Sequence, residues 1–231
     1  MKKLLSAVLV LAILGCGVAY ADTDKEILFR DIPWGISISE VKNALSDFSI
    51  WRDVRGLHLA HWSDKKPSSG SGTENGYQGG CKNNDDEEPL EIAGYPCYII
   101  VYCAYGLNEN GEVLRDRKSS QFYMASYTFD TSDIDTKLAY EELKEKLIEL
   151  YGDGEETTSD GGYGGMFTDN GTFSYHLTVL MTEWIGANNT AVLLRAEWDM
   201  DTGIGVSLQI VYGTTDYDNQ LTAIEKALEK K

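Results

Sequence analysis

The sequence predicts an α+β fold, in which an antiparallel β-sheet of meanders carries helices packed on one face. Three observations predict this fold. Alternating apolar and polar segments indicate strands, apolar residues at helical spacing indicate amphipathic helices, and the order helix-then-strands occurs twice. We therefore expect a single domain over residues 22–231. Its approximate lobes, 22–130 and 131–231, allow two tandem helix-plus-meander units.

Residues 1–21 have the three parts of an export signal. Lys2 and Lys3 form a basic start, an apolar run extends from Leu4 to Leu14, and Ala19-Tyr20-Ala21 is a small-residue cleavage site. The apolar run is too short to span a bilayer, so the mature form is predicted to have no transmembrane span. We expect cleavage after Ala21 and a secreted or extracytoplasmic protein.

A second cleavage site lies within the same segment. Ile13-Leu14-Gly15-Cys16 resembles the lipobox of bacterial lipoproteins, in which the cysteine is lipidated and becomes the new N-terminus. Leu14 is bulkier than the residue usually found before that glycine, whereas Ala19-Tyr20-Ala21 fits signal peptidase well. Release after Ala21 is the preferred prediction, and lipoprotein anchoring through Cys16 is the minority alternative.

The charge of the chain excludes some partners. The whole sequence has a net charge of −17, and loss of Lys2 and Lys3 with the signal makes it −19. A surface this acidic repels nucleic acid and anionic lipid headgroups, so no nucleic-acid partner is expected. Solubility is the simplest role of the charge, although cationic partners and calcium are also compatible with it.

The first half is predicted to open with a turn and a helix. Pro33-Trp34-Gly35 forms the turn, and Trp34 is expected to pack the helix entry onto the sheet. Ser37 and Glu40 form a capping box, in which each side chain accepts a hydrogen bond from the other's backbone N–H. Val41 continues the apolar stripe of a helix from about Ser37 to Ser46.

Strands follow after a polar segment. Residues 63–90 contain glycine, serine and an acidic run with almost nothing to bury, which predicts a mobile loop. Tyr95–Tyr105 and Phe122–Phe129 alternate with apolar or aromatic side chains on their buried rows. They are expected to pair as a hairpin across a longer connection.

The second half repeats this order. A helix is predicted from Asp135 to Tyr151 with Gly152 as its stop, followed by a mobile glycine-rich loop to about Gly171. A meander and a short final helix capped by Asp218 complete the chain. The three strands of that meander are predicted at Phe173–Trp184, Thr190–Trp198 and Gly203–Tyr212.

The cysteines beyond Cys16 are odd in number. Cys97 and Cys103 lie on one predicted strand, about 20 Å apart at ~3.3 Å per residue, which is too far for a disulfide. Both are interpreted as small core residues. Cys81, in the predicted loop, could reach either of them, so the disulfide pairing stays open.

The opening of the mature chain resembles a group of uncharacterised exported bacterial proteins. Phe29 to Val41 matches their pattern F-R-x-I-P-W-G-x-S-x-x-E-V, and Tyr140 to Gly152 matches their later helix. A turn with Gly35 before Glu40-Val41 also resembles, more distantly, the β-lactamase-inhibitor-protein-like and SmpA/OmlA-type domains. That resemblance implies a non-catalytic binding or assembly role, and it assigns a structural role to Pro33, Trp34, Gly35, Ser37, Glu40 and Val41.

No residue is predicted to be catalytic, to bind a cofactor or to bind a metal. Asp199-Met200-Asp201-Thr202-Gly203 resembles half of a calcium loop, but Ile210 stands where the bidentate acid belongs, so a hairpin turn is preferred. The leading hypothesis is an exported, non-catalytic domain that binds an unknown protein or cell-envelope component. The alternatives are a secreted hydrolase acting on a glycan or peptide polymer, and a calcium-dependent surface protein.

Overall fold

The structure, a computed structural model, describes residues 25–55, 74–83, 88–168 and 171–229. The predicted export signal and Cys16 lie outside these residues, as do residues 63–73 and 84–87 of the predicted mobile loop. The described residues form three helices and eleven strands. The helices are α1 (Ile38–Ala44), α2 (Thr136–Tyr151) and α3 (Tyr217–Glu229). The strands are β1 (Ile50–Arg55), β2 (Gly76–Lys82), β3 (Leu90–Ile92), β4 (Tyr95–Ala104), β5 (Gly106–Leu107), β6 (Val113–Leu114), β7 (Gln121–Phe129), β8 (Glu155–Thr168), β9 (Gly171–Ile185), β10 (Thr190–Asp199) and β11 (Gly205–Thr214).

Nine strands form one antiparallel sheet, and its order shows how the two halves are joined. The order is β1-β2-β4-β7-β11-β10-β9-β8, with β3 also pairing β4, while β5 and β6 make a separate hairpin. The first half supplies α1 and then five of the nine strands, and the second half supplies α2 and then four. The last strands of the two halves pair at the centre, where Tyr127 lies opposite Ile210. The predicted α+β meander fold is confirmed, with the helix-plus-meander units in tandem.

Helices α1 and α2 cover one face of this sheet. The buried rows on that face include Val101 on β4 and Leu194 on β10, each fully shielded from solvent. Helix α2 contacts β10 and β11, and its Tyr140 hydroxyl lies 2.5 Å from Thr182 Oγ1 on β9. Helix α1 contacts β2 and β7 in the other half. The core therefore lies between the helices and the central strands.

The segment before α1 crosses from one half to the other. At its start the Ala187 N–H, in the β9–β10 turn, donates to the Lys25 carbonyl at 2.9 Å. In the middle, the Phe29 ring contacts the rings of Tyr127 and Tyr212, which flank the central pairing. Residues 25–36 therefore act as a strap over the junction of the two units.

The strap ends in the Pro33-Trp34-Gly35 turn. The Gly35 N–H donates to the Phe122 carbonyl at 2.7 Å, and Gly35 has a φ of 85°, a conformation that favours glycine. The Trp34 ring stacks on Phe122 with 4.7 Å between centroids, and its Nε1 donates to the Ile27 carbonyl at 3.0 Å. The predicted packing of Trp34 at the helix entry is confirmed.

The predicted capping box is present at the start of α1. The Ser37 backbone N–H donates to Glu40 Oε2 at 2.8 Å, and the Glu40 N–H donates to Ser37 Oγ at 3.3 Å. Hydrogen bonds from the Ser37 hydroxyl and backbone N–H lower the pKa of Glu40. Val41 is fully buried. The roles of these residues, and of Pro33 in the turn, belong to the fold.

The prediction of a mobile loop over residues 63–90 is wrong in part. Residues 76–82 form β2, which pairs with both β1 and β4, and Leu90 begins β3. Tyr77 and Cys81 are buried on this strand, and a Cβ at Gly79 would collide with the Trp51 ring. Glycine is thus needed at position 79 because the Trp51 side chain on the neighbouring strand β1 covers it. Trp51 is far from Gly79 in the sequence, so local hydrophobicity does not reveal this requirement.

The prediction of a second mobile loop, from Gly152 to about Gly171, is also wrong. Residues 155–168 form β8, an edge strand paired with β9 along its length, with a register shift between Asp160 and Gly162. An edge strand buries little, so it needs few apolar residues, and the strand signal in the sequence is weak. The final helix α3 starts at Tyr217, and Asp218 lies in its first turn rather than at its cap.

The three cysteines among the described residues lie in the core. Cys81, Cys97 and Cys103 are buried, and no disulfide joins them in the structure. Cys81 and Cys97 lie on β2 and β4. Burial raises the pKa of each of these two thiols to about 12, which keeps them protonated near neutral pH.

Candidate functional site

Exposed apolar side chains occur where the start of α2 approaches the β10–β11 connection. Among the described residues six large hydrophobic side chains are exposed, and four of them lie in the first turn of α2, in the β10–β11 connection or at the start of β11. We call these four residues the apolar corner: Leu138 is 55% exposed, Met200 54%, Ile204 63% and Val206 43%. Clustered exposed apolar residues mark interaction surfaces in soluble proteins, whereas single ones carry no such meaning.

The β10–β11 connection is a tight turn that holds Met200 and Ile204 outward. The Asp199 carboxylate accepts from the Asp201 N–H and the Thr202 hydroxyl, each at 3.0 Å. The Gly203 N–H donates to the Asp199 carbonyl at 2.7 Å, and Gly203 has a φ of 71°. The predicted hairpin turn is confirmed. Because the turn is fixed by its own hydrogen bonds, the apolar side chains at its tip are presented on a rigid support.

The first turn of α2 lies directly against this connection. Asp135 caps the helix by accepting from the N–H groups of Lys137 and Leu138, each at 3.1 Å. A Cβ at Gly205 would collide with Thr136, so the helix approaches the strand at a glycine. The Lys137 ammonium lies 4.9 Å from the centre of the Trp198 ring. These contacts place Thr136 and Lys137, in the first turn of α2, beside Gly205 and Trp198.

Acidic side chains border the apolar corner. Asp130, Asp133 and Asp135 are exposed in the segment leading into α2, and Asp201 is exposed in the β10–β11 turn. Hydrogen bonds from the backbone N–H and hydroxyl of Ser132 lower the pKa of Asp130, so this carboxyl stays ionised. The corner thus combines a contact surface of apolar side chains with a negatively charged border, which favours a partner carrying apolar groups and positive charge.

The structure does not bring the other candidate residues into a shared site. The Asp199 carboxylate of the calcium hypothesis is buried and already accepts the hydrogen bonds described above. Trp51 packs against Gly79 and the core, and Tyr77 is buried against the Tyr105 ring, so both aromatics serve the packing of the sheet. The residues of the Pro33–Val41 segment lie at the strap and α1, away from the corner.

A buried ion pair lies on the sheet face opposite α2. Arg195 Nε donates to Glu197 Oε1 at 3.0 Å, and the two side chains are 11% and 4% exposed. The two opposite charges neutralise each other in a site that is almost inaccessible to water, so the ion pair has a structural role in the interior of the protein. Arg195 Nη1 also lies 3.6 Å from the Met181 sulfur.

Two further kinds of feature are absent from the part of the chain that the structure describes. No group of three or more His, Cys, Asp or Glu side chains there could hold a metal ion. No helix there is long and apolar enough to cross a membrane.

The sequence contained a weak signal for the apolar corner. The apolar stripe of α2 consists of Tyr140, Leu143 and Leu147. Leu138 lies outside this stripe, so an apolar residue is on the solvent-facing side of an amphipathic helix. Alternation along the predicted strand Gly203–Tyr212 would place Ile204 and Val206 in one row with the buried Leu208. Both are exposed instead, because Ile204 precedes β11 and the register with β10 shifts between Glu197 and Trp198. Sequence alternation could not reveal that shift.

Comparison of the chain with protein-family models, with curated proteins and with solved structures finds no match.

Proposed function

We propose that the protein is an exported, non-catalytic domain that binds a protein or cell-envelope component through the apolar corner. The observation that carries the proposal is the concentration of exposed large apolar side chains at one rigid place on an acidic protein. On a monomeric soluble protein such side chains are ordinarily scattered. Their clustering on a turn and a helix start that are both fixed by hydrogen bonds supports a preformed binding surface.

The apolar corner lies far from the start of the described chain. Lys25 is hydrogen-bonded to the β9–β10 turn, next to the start of β10, whereas the apolar corner lies beyond the end of that strand. A strand of 10 residues spans about 30 Å. The corner is therefore at the far end of the sheet from Lys25, where the described part of the chain begins.

Site-specific photo-crosslinking tests this proposal. A photoreactive side chain in place of Ile204 is compared with the same group in place of Ile185, which is also an isoleucine and is 65% exposed. Ile185 lies beside the β9–β10 turn, at the other end of the sheet. With mature protein in native envelope extract, we expect a discrete crosslinked species from position 204 and none from 185. Equal crosslinking from both positions, or none from 204, would contradict the proposal.

A further inference from the structure

The outer edge of β8 is an open sheet edge. Among the described residues β8 pairs only with β9, and all six residues from Glu155 to Asp160 are exposed. Over these six residues the register with β9 is regular, and the shift comes only after Asp160. An edge strand presents a row of backbone N–H and C=O groups that can pair with another strand. This stretch is long enough to pair with an extended peptide.

The side chains along this edge are acidic or hydroxyl-bearing. Glu155 lies directly opposite Glu183 on β9, so two carboxylates share one face of the sheet. On the other face, Glu156 accepts a hydrogen bond from Lys144 at 2.7 Å. The residues between the acids are Thr157, Thr158 and Ser159, which suit a strand without adding charge. The edge thus favours a neighbouring strand that carries positive charge.

A second copy of this chain does not suit the edge. Antiparallel self-pairing centred on Thr158 would put Glu156 of one chain directly opposite Asp160 of the other. Like charges directly opposite each other are destabilising, and the two chains would each bring a net charge of −17. An apolar strand would bury these carboxylates without a charged partner, and an acidic strand would repel them, so both would bind less favourably. A strand bearing Lys or Arg at alternate positions would bind more favourably, because its charges attract the carboxylates.

We infer that the outer edge of β8 binds an extended Lys- or Arg-rich peptide segment by adding it to the sheet as a further strand. Backbone hydrogen bonds from residues 155–160 hold the segment, and the basic side chains at alternate positions lie beside Glu155, on the face that also carries Glu183. This surface is separate from the apolar corner, so its occupant is recognised by a different chemistry. Addition of a strand to an open edge is a known mode of peptide recognition in which the main chain supplies affinity and side chains supply specificity.

The test uses a fluorescent peptide of alternating Lys and Thr, blocked at both ends, and mature protein at about physiological ionic strength. Fluorescence anisotropy measures binding, and hydrogen exchange locates it. We expect saturable binding, with slower exchange of the backbone amides in residues 155–160. The same peptide methylated on its backbone nitrogens keeps its charge but loses its main-chain donors, so its binding should be lost.

Two charge reversals provide a matched comparison. Glu155→Lys changes the edge itself, whereas Asp153→Lys makes the same change of charge at an exposed residue just before the strand. We expect Glu155→Lys to weaken binding about tenfold and Asp153→Lys to weaken it far less, because only the first residue lies beside the added strand. Melting curves of both variants confirm that each is folded before binding is compared.

Several results would overturn the inference. Equal binding of the methylated peptide would show that charge alone attracts the peptide to an acidic protein. Equal weakening by Asp153→Lys and Glu155→Lys would show the same. Failure of the unmethylated peptide to bind would show that the edge is closed to such a partner. A dimer in sedimentation experiments that Glu155→Lys dissociates would assign the edge to a second copy. None of these results bears on the apolar corner, so the proposed function stands or falls separately.

Discussion

Replacement of Trp34 by alanine tests the role of the strap, because Trp34 joins the strap to the sheet in two ways. Its ring stacks on Phe122 of β7 with 4.7 Å between centroids, and its Nε1 donates to the Ile27 carbonyl at 3.0 Å. The ring is half-buried and packs against the hydrophobic core. Alanine removes the stacking, the hydrogen bond and the buried area together, while Gly35 and the capping box remain.

The expected loss can be built from these contacts. Exposing about 100 Å² of apolar ring surface costs about 2.5 kcal/mol at ~25 cal/mol per Å², which is an upper estimate because the unfolded chain is partly compact. The stacked pair adds roughly 1 kcal/mol and the hydrogen bond a further ~1 kcal/mol. Relaxation around the vacated space recovers part of this total. We therefore expect Trp34→Ala to lower the free energy of unfolding by about 3 kcal/mol or more.

Thermal unfolding followed by circular dichroism measures this effect. A loss of about 3 kcal/mol corresponds to a Tm lower by roughly 6–12 °C in a domain of this size. Trp34→Phe keeps a ring on Phe122 but loses the hydrogen bond and a small part of the ring area, so its Tm should fall by much less, roughly 2–4 °C. An unchanged Tm for Trp34→Ala would refute the reasoning. Equal losses in both variants would show that the hydrogen bond, and not ring packing, holds the strap.

Two further predictions concern packing and ionisation. Gly205→Ala should lower stability by about 1–3 kcal/mol, because its Cβ would collide with Thr136, whereas Gly80→Ala meets only ordinary contact at 3.6 Å and should be tolerated better; urea unfolding of both variants distinguishes them, and equal stability would contradict the helix approach described here. Burial raises the pKa of Tyr127 and of Tyr140 to about 12, and an unfolded tyrosine ionises near ~10. The folded state therefore holds these protons longer than the unfolded chain does, so their contribution to stability is complete below pH ~10 and is lost as the pH rises to about 12. The urea midpoint should fall across that range, and more gradually in Tyr140→Phe; an unchanged slope in that variant would contradict the assignment.

The sequence predicted the elements whose information is local. Helix α2 has a capping aspartate, an apolar stripe and a terminal glycine, and its predicted bounds differ from the observed ones by one residue at the start. Strands β4 and β7 alternate clearly because both lie in the centre of the sheet. In each case the residues that decide the element lie within it, so reasoning from periodicity and caps is sufficient.

The elements that were missed depend on distant partners. Strand β2 contains glycines because Trp51, on another strand, occupies the space above Gly79. Strand β8 lies at the edge of the described sheet and its residues from Glu155 to Asp160 are exposed, so the composition of this part resembles that of a loop. The apolar corner was missed for a related reason: it forms only when the first turn of α2 meets the β10–β11 connection, residues that are more than 60 positions apart. The pattern of residues along the sequence cannot show that these two segments are close together in the folded protein.

The central claim is that the apolar corner binds a partner, and capture from native envelope extract tests it most directly. Immobilised mature protein is compared with the double variant Leu138→Ser and Ile204→Ser, and with Ile185→Ser as a matched exposed control. All three substitutions lie on the surface and should change stability by no more than about 0.5 kcal/mol each. We predict that the native protein and Ile185→Ser retain the same envelope component and that the double variant loses it. Retention by all three proteins would contradict the claim, as would turnover of a glycan or peptide substrate without any retained component.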